Sequence, residues 1–274
     1  MERFAEIVLA YSNQQPGLIG EEVTDFLLVH GAGQGAWSWG HVWGYLTAPE
    51  EHPPRLHAPK RANKVYPMDL PGHGADADGD TGEVRLEECI HSITRAVERE
   101  GLKDLVLVGH GFAGGLVLQA ISQLPQPPKR LILVAGIVPV SQRSMLSAMP
   151  QSLQGGLRML TVLSKFSRQD CRFPKAAISR LLCNGMDPME VVHAVGFFGP
   201  LPIRVLTSRI SLDDGPPPCP VTYVVLTQDK LLPAESQKKM ANRIPDVEVV
   251  SLDSCHEAML YKPKELADIL IKYA

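Results

Sequence analysis

Four short apolar runs punctuate the chain: Phe26-Leu27-Leu28-Val29, Leu105-Val106-Leu107-Val108, Leu131-Ile132-Leu133-Val134 and Val221-Thr222-Tyr223-Val224-Val225-Leu226. Successive side chains on a strand point to opposite faces. A run without polar alternation therefore has both faces buried, the pattern of strands in a parallel sheet covered by helices. Lys64-Val65-Tyr66-Pro67-Met68 reads as a weaker strand between the first two, because its proline cannot donate to a ladder. Val247-Glu248-Val249-Val250 reads as the last strand. Between the runs the spacing becomes helical. Leu86, Ile90, Ile93 and Val97 share one face of a segment that ends at Glu100-Gly101, and Leu266, Ile269, Leu270 and Tyr273 share a face of a helix that follows Pro263. Strands alternating with helices specify an α/β fold built on a doubly wound, mostly parallel sheet.

Two stretches break this rhythm. Thr47 to Asn63, rich in Pro, His, Arg and Lys, reads as a surface loop. The longer one, from about Pro139 to Pro220, is far too long for a crossover and carries helical fragments at Leu153–Leu163 and Lys175–Leu182. The expected organisation is a core of residues 1–138 and 220–274 with a helical cap inserted at 139–219.

Composition narrows the setting. Hydrophobic residues at 45% and charged residues at 21% suit a soluble globule with a substantial core. A formal net charge of −3 without a basic stripe argues against nucleic acid as a partner. The five cysteines (Cys89, Cys171, Cys183, Cys219 and Cys255) are odd in number and lack CxxC spacing, so they read as reduced thiols rather than as disulfides or zinc ligands. No metal or other cofactor is expected. Met1-Glu2-Arg3-Phe4-Ala5-Glu6 has two acids and no apolar core, unlike a signal peptide, and no apolar run approaches the roughly 20 residues of a membrane span. A cytoplasmic protein without a membrane partner is the expectation.

Four candidate signals fall just after predicted strands, where open α/β sheets bind ligands. His30-Gly31-Ala32-Gly33-Gln34-Gly35-Ala36-Trp37 is small enough for a backbone N–H to point into a site, as an oxyanion hole or a phosphate-binding turn requires. Gly109-His110-Gly111-Phe112-Ala113 has the small residues that a sharp strand-to-helix turn demands around a nucleophile, but its centre, Gly111, has no hydroxyl. Gly109, Gly111 and Gly114 also fit a dinucleotide fingerprint, yet they open a later unit, and Leu131 stands where an acid about 20 residues on is needed. Asp229 follows one strand and His256 another. Taken alone, the first reads equally as a capping acid and the second as a structural histidine. Their order along the chain (elbow, acid, histidine) is that of hydrolase triad parts.

On these residues the chain resembles the α/β-hydrolase superfamily, and within it the plant methylesterase and hydroxynitrile-lyase group with its bacterial esterase relatives. The resemblance rests on His30-Gly31-Ala32, Gly35-Ala36-Trp37-Ser38-Trp39, Asp69-Leu70-Pro71-Gly72-His73-Gly74, Val108-Gly109-His110 and His256-Glu257-Ala258-Met259-Leu260. It implies Asp229 and His256 as acid and base, Ala32 and Phe112 as oxyanion-hole amides, and Gly111 at the place of the missing nucleophile. Gly33, Trp37, Phe197 and Phe198 are the candidate substrate contacts, and Phe166, Phe173, Val191, Val192 and Val195 are further apolar residues available to a pocket. Cys255 adjoins His256 but, as a loop neighbour, is expected to point away from it. Ser38, Asp69 and His73 are expected to have packing or hydrogen-bonding roles.

Three functions are consistent with this pattern. The first is a hydrolase of a carboxylic ester or related acyl bond of a small apolar substrate, with its serine replaced by Gly111 so that substrate is held without an acyl-enzyme. The second is a naturally serine-less enzyme using His256 as general base for lyase, decarboxylation, cyclisation or direct water attack. The third is a non-catalytic small-molecule binder, against which the retained acid–histidine pair speaks.

Overall fold

The computed structural model describes residues 24–47, 62–77, 81–167, 171–212 and 215–274. The amino-terminal residues weighed above as a leader and most of the loop expected from Thr47 to Asn63 lie outside these, as does the side chain of Phe166. The strands are β1 (Thr24–Val29), β2 (Ala62–Met68), β3 (Leu105–His110), β4 (Arg130–Val134), β5 (Arg143–Ser144), β6 (Arg209–Ile210), β7 (Val221–Leu226) and β8 (Glu248–Leu252). Six of them form one sheet in the order β2-β1-β3-β4-β7-β8, every pair parallel. β5 and β6 form a separate antiparallel ribbon.

Register explains the unbroken apolar runs. Leu28 pairs with Val108 and Val108 with Ile132, while Leu27 pairs with Leu107 and Leu107 with Leu131. The first set joins Trp39, Val42, Leu46, Leu266 and Leu270 in the core on one face of the sheet. The second joins Ile90, Ile93, Leu116, Val117 and Met240 on the other. Helices Gly40–Thr47 and Pro263–Lys272 pack together over one face, and Leu86–Glu100 packs with Ala113–Ala120 over the other. Pro67 is accommodated because β2 is an edge strand.

β1 leads outward to β2, and the chain then crosses to β3 on the opposite side of β1. The strand order reverses there, which opens a crevice at the carboxyl ends of β1 and β3. The segment between β4 and β7 lies over that edge. It carries helices Gln151–Ser167, Pro188–Phe197 and Ile203–Thr207, and a short helix at Lys175–Ala177 that continues as a π-helical turn to Leu182. Asp187 caps the second of these by accepting from the Met189 amide, with Pro188 at the first helical position. Hydrogen bonds tie the segment to three loops at the sheet edge. The Gly199 amide donates to the Gly33 carbonyl at 2.7 Å, Asn184 Nδ2 to the Gln228 carbonyl at 2.8 Å, and the Glu257 amide to the Leu182 carbonyl at 3.2 Å.

Candidate active site

The turn after β3 fixes the first component. His110 ends the strand, Gly111 has φ +50°, and the helix begins at Ala113. The Gly111 amide donates to the Val134 carbonyl at 3.0 Å, and its own carbonyl accepts from Ile137 at 2.8 Å and Gly114 at 3.1 Å. A left-handed conformation costs an L-residue about 1–2 kcal/mol, which glycine avoids. A Cβ built on Gly111 would stand 3.1 Å from His256 Nε2 and 3.4 Å from Cε1, with no other neighbour within 4 Å. The position therefore aims a side chain at the imidazole, which has closed into part of the room that side chain would need. Gly114 is required for a different reason: its Cβ would meet the Ile137 amide nitrogen at 2.7 Å and Gly136 backbone atoms at 2.8 Å.

The loops after β7 and β8 supply the acid and the histidine. They are joined by the Thr227 amide donating to Leu252 and the Gln228 amide donating to Ser254, both at 3.0 Å. Asp229 Oδ1 accepts the Leu231 and Leu232 amides at 2.8 Å each. Its Oδ2 accepts Gln237 Nε2 at 3.2 Å and His256 Nδ1 at 2.7 Å. With Nδ1 donating to a carboxylate, Nε2 is the unprotonated nitrogen, and it faces Gly111. Both partners are buried. Burial is the largest influence on His256 and pushes its pKa down, but the charge and hydrogen bond of Asp229, with Glu257, outweigh it and the net direction is up.

Ala32, in the turn after β1, and Phe112, in the turn after β3, complete the arrangement. Among the described residues neither amide N–H has a hydrogen-bond partner. Both residues, with Gly31, Gln34 and His256, line a cavity whose remaining wall is apolar and includes Ile137, Met149, Leu157, Phe173, Leu182 and Leu206. A few polar groups set in an apolar wall is the make-up of small-molecule sites. The structure thus brings Ala32, Gly111, Phe112, Asp229 and His256 together.

Gly33, Trp37, Phe197 and Phe198 stand outside this cavity's wall and are grouped with one another. Trp37 lies 5.3 Å from the Phe197 ring and 5.9 Å, edge-on, from the Phe198 ring. Gly33 pairs its carbonyl with Gly199. Of the further apolar candidates, Phe173 is in the wall, whereas Val192 is exposed. Asp69 binds the Ala36 and Ala75 amides, and Ser38 donates to the Gly35 carbonyl, so these residues hold turns. Cys255 is buried and its thiol is pushed up to about 12, first by burial and then by Glu257, so it carries no thiolate near neutral pH.

Gln34, in the turn after β1, and Glu257, beside His256, went without a role from the sequence. Gln34 Nε2 donates to both carboxyl oxygens of Glu257 at 2.6 Å, and both side chains are buried. The sequence does hold a signal for the acid, since Glu257 directly precedes an apolar stretch, Ala258-Met259-Leu260. Among the described residues no group of three or more His, Cys, Asp or Glu side chains is placed to hold a metal ion, and no helix is long and apolar enough to cross a membrane.

A parallel sheet with its crevice at the strand-order reversal, a sharp turn after β3 and an acid–histidine pair from the last two strand ends define the class. The chain matches the profile of the Alpha/beta hydrolase family over residues 26–269 and belongs to that family. It is similar to Methylesterase 1 of Arabidopsis thaliana, at 26% identity over 91% of this chain and 95% of that protein. Two solved structures share the fold. An extracellular α/β-hydrolase from a Paenibacillus species superposes with a TM-score of 0.78 at 20% identity, covering 92% of this chain and 99% of that one. A variant of tomato Methylketone Synthase I complexed with β-ketoheptanoate gives 0.68 at 18% identity, covering 93% and 100%.

Proposed function

We propose that this protein is a carboxylesterase-type hydrolase acting on a carboxylic ester, or a related acyl bond, of a small apolar molecule, by a route that forms no acyl-enzyme. The observation that carries the proposal is that Ala32 and Phe112, whose amides have no partner among the described residues, line one largely apolar cavity with His256, whose Nε2 faces Gly111. A carbonyl oxygen accepts from the Ala32 and Phe112 amides. A water beside Gly111 attacks the carbonyl carbon and gives its proton to His256 Nε2, while the carbonyl π electrons move onto the oxygen held by the two amides. Collapse of that intermediate expels the alkoxide, which takes the proton from His256. Asp229 holds the imidazole in the required tautomer and balances its charge.

Loss of the serine from a protease triad costs about 10⁶ in kcat, and about 10³–10⁴ over water survives through binding and the oxyanion hole. Proton transfer by a placed base contributes about 10²–10⁴. The expected activity is therefore slow on ordinary esters and measurable on activated ones. Methylesterase relatives support the ester as substrate class, and five buried, unpaired thiols support a reducing, cytoplasmic setting.

One observation favours a second reading. Nothing at position 111 can form a covalent bond, and the raised pKa of His256 makes an imidazolium available as an acid. A β-keto acid can lose carbon dioxide without a nucleophile: its C–C bond breaks, the electrons pass to an enolate oxygen held by the amides, and His256 protonates the carbon. β-Ketoheptanoate is the compound held by the tomato protein of the same fold.

The test follows p-nitrophenol release from esters of increasing acyl length, and loss of β-ketoheptanoate, with the parent protein, Gly111→Ser and His256→Ala. The hydrolase reading expects linear release without a burst by the parent, loss of it in His256→Ala, and a burst of one equivalent in Gly111→Ser. Release by the parent that survives His256→Ala overturns it. Consumption of the β-keto acid without ester turnover moves the assignment to the second reading.

A further inference from the structure

Behind His256, a single side chain joins three loops of the site. Gln34 Oε1 accepts the Gly31 amide at 2.7 Å, which fixes the amide orientation, and lies 3.2 Å from His110 Nδ1. The other nitrogen of the His110 ring, Nε2, lies 3.0 Å from the His256 carbonyl oxygen, and the neutral ring, with one N–H, donates to one of these two oxygens. Gln34 Nε2 reaches both oxygens of Glu257. The turn carrying the Ala32 amide, the strand end before Gly111 and the loop carrying His256 are thus linked through Gln34 and Glu257. We propose that Glu257 is a positioning residue of this site: through Gln34 it holds the Gly31–Gly33 turn, and its carboxylate acts on the neighbouring imidazole of His256.

The device depends on protonation. An ionised carboxylate accepts from Gln34 on both oxygens, whereas a carboxylic acid has one oxygen carrying a proton and loses one of the two contacts. Burial is the main reason the Glu257 carboxyl is pushed up to about 7, with His256 and the Gln34 hydrogen bond pulling the other way. The groups that face it are His256 and Cys255 on its own loop, Asp229 from the loop after β7, Cys183 from the end of the π-helical turn, and His110 across Gln34. Cys183 and Cys255 stay neutral near pH 7, since burial raises both thiols, and burial holds His110 well below the usual histidine range. The change in charge near neutral pH therefore falls on Glu257 and His256, and each titrates under the influence of the other. As pH rises through about 7, Glu257 gains its charge and its second bond to Gln34.

The inference uses the same residues as the hydrolase reading but needs no substrate, so it is tested without turnover. The experiment is an NMR titration of the full chain labelled with ¹³C in histidine rings and glutamate carboxyls, with His256 assigned from His256→Asn. In the parent the expected result is a Glu257 carboxyl titrating near 7 and a His256 ring with two inflections. Glu257→Gln removes one inflection and moves the His256 pKa down. Gln34→Met takes a partner from Glu257, drives its pKa further up and reproduces the change near neutral pH. The double variant adds nothing to Glu257→Gln alone. Where an activated ester is turned over, both single variants lower kcat by about 10–100-fold with KM little changed, the mark of misplaced geometry rather than lost binding. A single His256 inflection in the parent with Glu257 titrating in the ordinary carboxylate range overturns the proposal, and that measurement does not depend on the Gln34→Met or double variant folding. Linked titrations without ester turnover would leave the inference in place and sink the hydrolase reading; His256-dependent turnover without linkage would do the reverse.

Discussion

Acidification should expose the opposing contributions of two buried groups. His30 is fully buried, with Nδ1 donating to the Gly31 carbonyl at 2.8 Å and Nε2 accepting the Leu70 amide at 3.0 Å. Both nitrogens are engaged in the neutral ring, and a proton on Nε2 would evict the Leu70 amide. Burial, followed by the repulsion of His73, lowers its pKa to about 3. A histidine whose folded pKa lies below its unfolded value of 6.5 contributes stability that is present above that value and lost as pH falls. Between about pH 7.5 and pH 5 the loss is about 2 kcal/mol, most of the way up the unfolded titration. Glu257 works the other way. Its folded pKa of about 7 lies above the unfolded 4.5, so its contribution is fully present below 4.5 and is lost as pH rises through 7. Over the same interval it returns about 2 kcal/mol on acidification. The assay is urea unfolding at the two pH values, read by far-UV circular dichroism, for the parent, His30→Gln and Glu257→Gln. Relative to the parent, the stability lost on acidification should shrink by about 2 kcal/mol in His30→Gln and grow by about 2 kcal/mol in Glu257→Gln. Comparing differences within each variant cancels the intrinsic cost of the substitution. A loss in His30→Gln equal to the parent's within about 0.5 kcal/mol would refute the argument from the two occupied ring nitrogens.

Asp229→Asn removes the charge that raises His256 and leaves burial dominant, so the His256 titration should move down, seen by the same labelled-histidine NMR. The new amide's oxygen can keep the Leu231 and Leu232 N–H groups, so its Nδ2 faces the Gln237 Nε2 donor, at a cost of about 1–3 kcal/mol in urea unfolding. Gly114→Ala places a methyl against backbone atoms at 2.7–2.8 Å that cannot rotate away, and should destabilise by about 1–3 kcal/mol in thermal or urea unfolding. An unchanged midpoint would mean that the loop at Gly136 gives way freely.

The sheet was legible because burial on both faces leaves the middles of its central strands almost wholly apolar, with Thr222 the exception inside a run. β7 begins and ends where its apolar run does, and β3 and β4 extend theirs by only a residue or two. The edge strand β8 was placed less well, predicted over 247–250 and found at Glu248–Leu252, because exposed positions blur its pattern. Asp229 and His256 were marked by their positions just past strand ends and their order along the chain, whereas Ala32 and Phe112 were singled out by the family resemblance. The cavity wall did not follow. Leu157, Phe173, Leu182 and Leu206 come from separate helices and turns between β4 and β7, and nothing in a helical period says which apolar face meets a ligand and which meets core. The aromatic residues chosen from sequence, Trp37, Phe197 and Phe198, found each other instead. Gln34 and Glu257 were hidden for a related reason: 223 positions separate two side chains whose importance lies in their contact.

The left-handed turn at Gly111 also sets how this scaffold can change. Glycine and serine codons can differ by one base, so the smallest step in sequence that would place a hydroxyl against His256 Nε2 is also among the smallest in the genetic code. The step is not free. A side chain there takes on about 1–2 kcal/mol of backbone strain, and the imbalance falls on an imidazole that must retreat by a few tenths of an ångström from 3.1 Å. Stability and nucleophile are therefore exchanged at a single residue. One base change can thus suffice to place a hydroxyl in the site, and the only other residue it obliges to move is His256.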